Sequence, residues 1–283
     1  MTLAVTDRRR IEASLGTTIR ATSRLGGGQI AEVFRADLTN GRRIVVKRGT
    51  NLALEGWMLA TLAARSTVPV PRVYLGDDDL LVMEFVANDG SLDVRAETDL
   101  ADIVAELHAV RGTQFGFERD TLIGSLPQPN PLADHWRPFF RDHRLMAMGL
   151  NAVTAGRLPA RLMARIETLC GRLDTWIGSN SPPRLIHGDL WGGNILSHGG
   201  RITALIDPAL YYADPEIELA FMTLFNSVGP HFFARYRERA GIRPGFFEER
   251  RDLYNLYPLL VHVRLFGGSY AAQVERTLTR FGC

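Results

Sequence analysis

The segment His187-Gly188-Asp189-Leu190-Trp191-Gly192-Gly193-Asn194 puts a carboxylate and a carboxamide into one glycine-rich stretch. Asn194 stands at the fifth position after Asp189, the D-x-x-x-x-N spacing of a kinase catalytic loop. Phosphoryl transfer needs a carboxylate to accept or orient the proton of the attacking hydroxyl. It also needs an uncharged oxygen nearby for Mg²⁺, which prefers hard oxygen donors. Asp189 suits the first task and Asn194 the second. Taken alone, the segment also fits a Gly-rich turn in which Asp caps a helix. Residues 202–206, Ile-Thr-Ala-Leu-Ile, read as a strand ending in Asp207-Pro208. A kinase carries its second Mg²⁺ ligand at that place, just downstream of the catalytic loop. Pro208 ends ladder bonding and turns the chain. An isolated Asp-Pro is only a turn; behind this loop, Asp207 is a candidate metal ligand.

The complementary half lies upstream. Lys47 is the only lysine in the chain, every other basic residue in the Lys+Arg count being arginine. A compact ammonium and a bulky guanidinium differ most where a point charge must reach a phosphate in a confined site. Lys47 closes the strand-like run Ile44-Val45-Val46-Lys47 and resembles the strand lysine that contacts α/β-phosphates. Glu55 follows on the apolar face of a helical stretch. A carboxylate there is costly unless paired, and Lys47 is the obvious partner, the alternative being a half-exposed Glu. Gly26-Gly27-Gly28-Gln29-Ile30 lies between two strand-like runs and would let backbone N–H groups approach phosphates. It matches neither G-x-G-x-x-G nor G-x-x-x-x-G-K, so a simple turn remains open. The backbone of Glu84, Phe85 and Val86, at the end of the apolar run from Leu80, could hydrogen-bond an adenine edge. Glycine loop, lysine, glutamate, hinge, base, asparagine and aspartate thus occur in the order one reaction requires.

Elements that position these residues are readable from periodicity. Residues 30–36, 43–47 and 80–85 read as strands, with turn signals at Thr39-Asn40-Gly41 and Gly76-Asp77-Asp78-Asp79. Residues 51–64 read as a helix, with Leu52, Glu55, Leu59 and Leu62 on one face. Beyond Val86 the chain turns mostly helical, over 100–109, 132–149, 159–177, 217–228 and 246–266. The expected fold is α+β: a bilobal, protein-kinase-like arrangement with a small β-rich N-lobe and a larger, mostly helical C-lobe. Residues 1–86 would carry an N-terminal helix, an antiparallel sheet and the Glu55 helix; residues 87–283 would carry the catalytic loop, metal site and acceptor site. The length of 283 residues suits two lobes sharing a cleft, and 46% hydrophobic with 23% charged residues is ordinary for a globular enzyme. A formal net charge of +2 argues for neither a nucleic-acid nor a membrane partner. No apolar run approaches the ~20 residues of a membrane span, and no signal peptide is visible. Two cysteines, Cys170 and Cys283, make no disulfide framework, so a cytoplasmic setting is expected. The sequence is silent on oligomeric state.

Over nearly its full length the chain resembles the fructosamine/ketosamine 3-kinases, relatives of the aminoglycoside phosphotransferases. The resemblance is carried by Phe115-Gly116-Phe117, Ile123-Gly124, Pro127-Gln128-Pro129-Asn130, Trp136, Phe139-Phe140 and Arg144-Leu145, which are similar to that family's C-lobe insert. It is also carried by the loop from His187 to Asn194, by Asp207-Pro208-Ala209 with Tyr211-Tyr212-Ala213-Asp214, and by Leu256-Tyr257-Pro258-Leu259-Leu260 with Phe266-Gly267-Gly268. The resemblance implies transfer of the ATP γ-phosphoryl group to the 3-hydroxyl of a ketoamine, a sugar joined to an amine by glycation. The unstable product then releases the amine. It implies Asp189 as base and Asn194 and Asp207 as Mg²⁺ ligands. Trp191 would wall the sugar, an indole face packing on C–H groups, or else be a core residue under the loop. Asp214 would pair with the substrate's cationic amine or cap the helix starting near Glu216. Gln29 stands where some members carry Cys, so no redox switch is expected in that loop. Gly192 stands where Ser is common, and Glu218 where relatives usually have Asp, which leaves the hydrogen-bond role of Glu218 open.

Two other readings compete. One is a kinase for an aminoglycoside-like or other polyol amine; the other is a nucleotide-binding homologue without catalysis. The second is disfavoured because Lys47, Glu55, Asp189, Asn194 and Asp207 are all present. A protein kinase is disfavoured because no long activation loop follows Asp207.

Overall fold

The structure is a computed structural model describing residues 3–26, 31–179 and 181–283. In the N-terminal part, β1 (Ile19–Arg24), β2 (Glu32–Leu38), β3 (Arg43–Arg48), β4 (Val73–Gly76) and β5 (Leu80–Glu84) form an antiparallel sheet in the order β1-β2-β3-β5-β4. Alternation builds its inner face. Phe34, Ala36 and Leu38 of β2, Ile44 and Val46 of β3, and Leu80 and Val82 of β5 are buried with Ile11 of α1 (Val5–Leu15). The other face of β5 buries Leu81 and Met83 against Leu52 and Leu59 of α2 (Leu52–Arg65). Gly56 permits that close approach, since a Cβ there would stand 3.1 Å from the Leu81 side chain. At the β2–β3 turn Gly41 takes φ 82°, and Asn40 Oδ1 accepts from Arg42 N–H at 3.1 Å, the turn chemistry expected of Asn-Gly.

After Glu84 the chain runs without regular structure to Asp93, whose Oδ1 accepts from Ala96 N–H at 2.9 Å and so caps α3 (Val94–Leu107). The hairpin β6 (Thr121–Ile123) and β7 (Leu126–Gln128) precedes α4 (Trp136–Phe140), α5 (Ala147–Thr154) and α6 (Ala160–Cys170). Three short strands bracket the reactive segment: β8 (Arg184–Ile186), β9 (Ile195–His198) and β10 (Arg201–Leu205). They are followed by β11 (Tyr211–Ala213), which pairs back on β8. Then come α7 (Glu216–Leu224), α8 (Pro230–Ala240), α9 (Arg251–Tyr254), α10 (Leu256–Phe266) and α11 (Ser269–Arg280). The α+β, bilobal kinase architecture is the one expected. Leu205 N–H donates to Pro69 O at 2.8 Å, a direct tie between the two parts. The insert around β6 also grips α2: Trp57 meets Phe117 edge-on at 5.8 Å, and the Arg119 guanidinium lies 4.7 Å from the Trp57 ring.

Several helices differ from expectation for identifiable reasons. The expected 132–149 helix begins only at Trp136, after Pro131, and runs on to Thr154 through a π-helical turn, Arg141–Met146. A second π turn, Phe246–Arg250, opens the expected 246–266 helix, which breaks again at Asn255. A π turn shifts the apolar stripe by one residue, so a 3.6-residue period blurs there. α8 and α11 were not anticipated, although Pro230 at the start of α8 is a helix-start signal. The expected 159–177 helix stops at Cys170 and gives way to a 3₁₀ turn, Leu173–Thr175. Among the described residues no helix is long and apolar enough to cross a membrane.

Candidate active site

Lys47 is the next-to-last residue of β3 and is 6% exposed. Its Nζ lies 2.7 Å from Glu55 Oε1 on α2 and makes a second ion pair with Asp207. Burial works against the ammonium, but Asp207 and Glu55 together hold its pKa above the ordinary lysine range. Glu55 is pushed up to about 7, burial leading, with Lys47 opposing and the Asp207 charge adding. The alternative of a half-exposed, unpaired Glu55 is not what the fold contains. Of the glycine segment, Gly26 has open space where a Cβ would stand, and Leu25 N–H donates to Val33 O at 2.8 Å as β1 approaches β2. Gly27, Gly28, Gln29 and Ile30 lie outside the described residues. At the end of β5, Glu84 N–H donates to Arg72 O at 2.8 Å and Phe85 N–H to Arg43 O at 3.4 Å. Val86 N–H has no partner among the described residues.

The opposing half is assembled around His187, which is fully buried. Its Nε2–H donates to Ile206 O at 3.0 Å and its Nδ1 accepts from Asp189 N–H at 3.3 Å, so the bonds assign the neutral imidazole. Burial lowers its pKa, in keeping with that state. Gly188 has φ 86°, and a Cβ there would stand 2.1 Å from Ala209 O, so only glycine fits. Asn194 Nδ2 donates to Asp189 O at 2.8 Å and to Asp189 Oδ2 at 3.1 Å. That fixes the amide orientation and leaves Asn194 Oδ1 without a partner among the described residues. Ile206 N–H donates to Asn194 O at 3.0 Å, tying the loop to the strand that delivers Asp207. Asp207 itself has φ 56°, a left-handed conformation unusual for a residue with a side chain. The Asp189 carboxyl is held well above the ordinary range by burial and then by the Asp207 charge, with the Asn194 bond opposing.

A carboxamide oxygen and a carboxylate are hard donors, and they fit Mg²⁺, which is held by one or two carboxylates together with substrate phosphates. Among the described residues no group of three or more His, Cys, Asp or Glu that could hold a metal ion occurs.

Glu218 has the role left open by its sequence. Its Oε1 accepts from Gly188 N–H at 2.7 Å and its Oε2 lies 2.9 Å from His108 Nε2, whose Nδ1 meets Tyr236 Oη at 2.7 Å. His108 and Tyr236, which sequence reasoning missed, therefore brace the His187–Asn194 loop through Glu218. Gly192 N–H donates to Ser227 Oγ at 2.9 Å, and a Cβ at 192 would make only ordinary contact, so Gly for Ser is sterically mild.

Trp191 is 39% exposed, which separates it from a core residue. Its ring packs over Gly193 and meets Phe225 edge-on at 6.0 Å. The aromatic surface continues through His262, 4.9 Å from Phe225, to Phe266 and Tyr270. The spacing of four between residues 262, 266 and 270 was a signal for these three, obscured by the break at Gly267-Gly268. Asp214 is elsewhere. It is fully buried; Oδ1 accepts from Glu216 N–H at 3.0 Å, and Oδ2 from Arg243 Nη2 at 2.6 Å and Tyr254 Oη at 2.9 Å. Its Oδ1 bond reaches the first residue of α7, and its Oδ2 is engaged by Arg243 and Tyr254.

The neighbouring Glu216 accepts from Arg250 Nε at 2.6 Å and Arg243 Nε at 3.0 Å. Burial alone would raise its pKa, but the two guanidinium groups lower it below the ordinary 4.5. A depressed folded pKa contributes stability that is present above pH 4.5 and lost as pH falls through the folded value. Glu216→Gln is therefore expected to cost about 3 kcal/mol at pH 7, the price of orphaning a buried charge pair. The difference from wild type should shrink on acidification below pH 4.5. Urea unfolding at several pH values checks this; a pH-independent difference would contradict it.

A family model described as fructosamine kinase matches residues 4–281. A probable ketoamine kinase of Synechocystis sp. is 36% identical over 232 residues, covering 78% of this chain and 75% of the relative. A chloroplastic protein-ribulosamine 3-kinase of Oryza sativa subsp. japonica is 33% identical over 272 residues, covering 90% and 76%. A Thermobifida fusca crystal structure named as a fructosamine-3-kinase superposes with TM-score 0.86 at 29% identity, covering 96% of this chain and 98% of that one.

Proposed function

The chain belongs to the fructosamine kinase family, and on that premise we propose that it transfers the γ-phosphoryl group of ATP, with Mg²⁺, to the 3-hydroxyl of a ketoamine. The observation that carries this reading is the Lys47 ammonium bridging Glu55 and Asp207, with the Asp189–Asn194 pair tied to the same strand end. Asp189 accepts the proton of the attacking hydroxyl. The acceptor oxygen then bonds to the γ-phosphorus as the bond to the ADP bridging oxygen breaks, and ADP leaves with that electron pair. Lys47 neutralises phosphate charge, and Glu55 keeps its ammonium in place. Gly26 with the four residues that follow would cover the phosphates, and the Glu84–Val86 backbone would hold the base. Asn194 Oδ1 and the Asp207 carboxylate would hold Mg²⁺, which when bound spreads the charge developing on the β- and γ-oxygens. Trp191, with Phe225 and His262 beside it, offers the apolar face for the sugar.

Both named relatives above 30% identity support a ketoamine as the acceptor class. A cytoplasmic setting fits the free thiols of Cys170 and Cys283. ADP release measured with ribuloselysine, fructoselysine and an aminoglycoside panel tests the acceptor. Turnover confined to the ketoamines is expected. Turnover confined to aminoglycosides would sink the reading, and nucleotide binding without any turnover would mark a non-catalytic homologue.

A further inference from the structure

Residues 121–130 grip the chain just beyond Asp207 through side chains that the phosphoryl transfer itself does not use. Gln128 is fully buried; its Nε2 donates to Ala209 O at 3.0 Å and to Thr121 Oγ1 at 2.9 Å, while its Oε1 accepts from Tyr257 Oη at 2.7 Å. Thr121 Oγ1 donates to Leu210 O at 3.2 Å and accepts from Asn130 Nδ2 at 2.8 Å. Asn130 Oδ1 accepts from Arg144 Nη2 at 2.6 Å, and the Arg144 guanidinium lies 4.0 Å from the Tyr211 ring centre. Buried polar groups are costly unless paired. Here the pairing is directed at the carbonyls of the second and third residues after Asp207.

The Ala209 backbone is thereby held on both sides of its Cα. Its N–H donates to His187 O at 2.7 Å, and its carbonyl rests against Gly188 while accepting from Gln128. The left-handed backbone of Asp207 is two residues away, and it is a conformation that an Asp leaves readily unless its surroundings fix it. We propose that Gln128 is a positioning residue for the reaction. By holding the Ala209 carbonyl it keeps Asp207 in its left-handed turn, with the carboxylate beside the Asn194 loop. Protein kinases order the segment after this aspartate by phosphorylation. In this chain a buried amide orders it permanently.

The inference rests on Asp207 as a metal ligand, and its test separates the two. ADP binding is followed by isothermal calorimetry as Mg²⁺ is titrated. Gln128→Met, similar in shape but without donors, should raise the half-saturating Mg²⁺ concentration about tenfold or more, as loss of a group behind a metal ligand does. ADP affinity in EDTA and the KM for the ketoamine should stay at wild-type values. Ile166→Ala in α6 serves as a matched packing defect that lowers Tm without moving the Mg²⁺ dependence. A Gln128→Met protein with lowered Tm and wild-type Mg²⁺ dependence overturns the proposal. If Gln128→Met does not fold, Tyr257→Phe removes only the hydroxyl that orients the amide, and an unshifted Mg²⁺ dependence there overturns it equally. Asp207→Asn with wild-type Mg²⁺ dependence would bring down the metal reading and the positioning inference together. A shift in Asp207→Asn without one in Gln128→Met brings down the inference alone.

Discussion

Asp189→Asn is expected to lower kcat on a ketoamine by about 10³-fold, the scale of a lost general base, with no loss of thermal stability. The carboxamide keeps an oxygen where Asn194 Nδ2 donates at 3.1 Å, so the loop geometry survives. What is lost is the ability to take a proton. The stability side follows from the sign of the pKa shift. A carboxyl raised by burial and by Asp207 binds its proton more tightly folded than unfolded, so its charged form opposes folding at pH 7. A neutral carboxamide removes that opposition, and Tm should stay equal or rise. Steady-state ADP release and a thermal melt on one preparation check both halves. A kcat within tenfold of wild type would remove Asp189 from the role of base.

Lys47→Arg should lower kcat/KM for ATP by about 100-fold, the scale of one lost charge-stabilising donor in a water-poor site, although the charge is kept. The ammonium occupies a slot that is 6% exposed, closed on one side by Glu55 at 2.7 Å and on the other by Asp207. A guanidinium is wider, flat and directional, so it cannot replace a point charge between two carboxylates without pushing α2 or the Asp207 turn aside. Nucleotide calorimetry beside the kinetics would locate the damage in binding or in turnover. Near-normal kinetics would mean that the single lysine is a coincidence of composition.

The reactive centre was legible because its signals are local. Asp189 and Asn194 are five positions apart, Lys47 and Glu55 eight apart, and each spacing has a chemical reason. The second partner of Lys47 was not legible, because Asp207 lies 160 residues away and only packing brings it there. Trp191 and Asp214 show the same limit from the other side. Each had two chemically sensible readings, and what bears on them is burial, a property of the whole fold that exposes the first and encloses the second. The β-rich part was readable since β2 alternates, β3 and β5 are short apolar runs, and Asn-Gly and Asp-rich turns bound them. The helical part was blurred where π turns at Arg141–Met146 and Phe246–Arg250 interrupt the period. Those turns carry Arg144 and Arg250 inward to buried partners, so the irregularity that defeated periodicity is also what places the braces.

Lys47 has one more consequence, as a nucleophile. A reducing sugar, an aldehyde or an activated ester attacks an ε-amine only when that amine is unprotonated and reachable. The one ε-amine of this chain is neither: it is enclosed, and two carboxylates hold its proton. Every other basic side chain counted with it is a guanidinium. The folded surface therefore presents no lysine for a sugar to glycate, and lysine labelling becomes a reporter of a single place, the enclosure of Lys47.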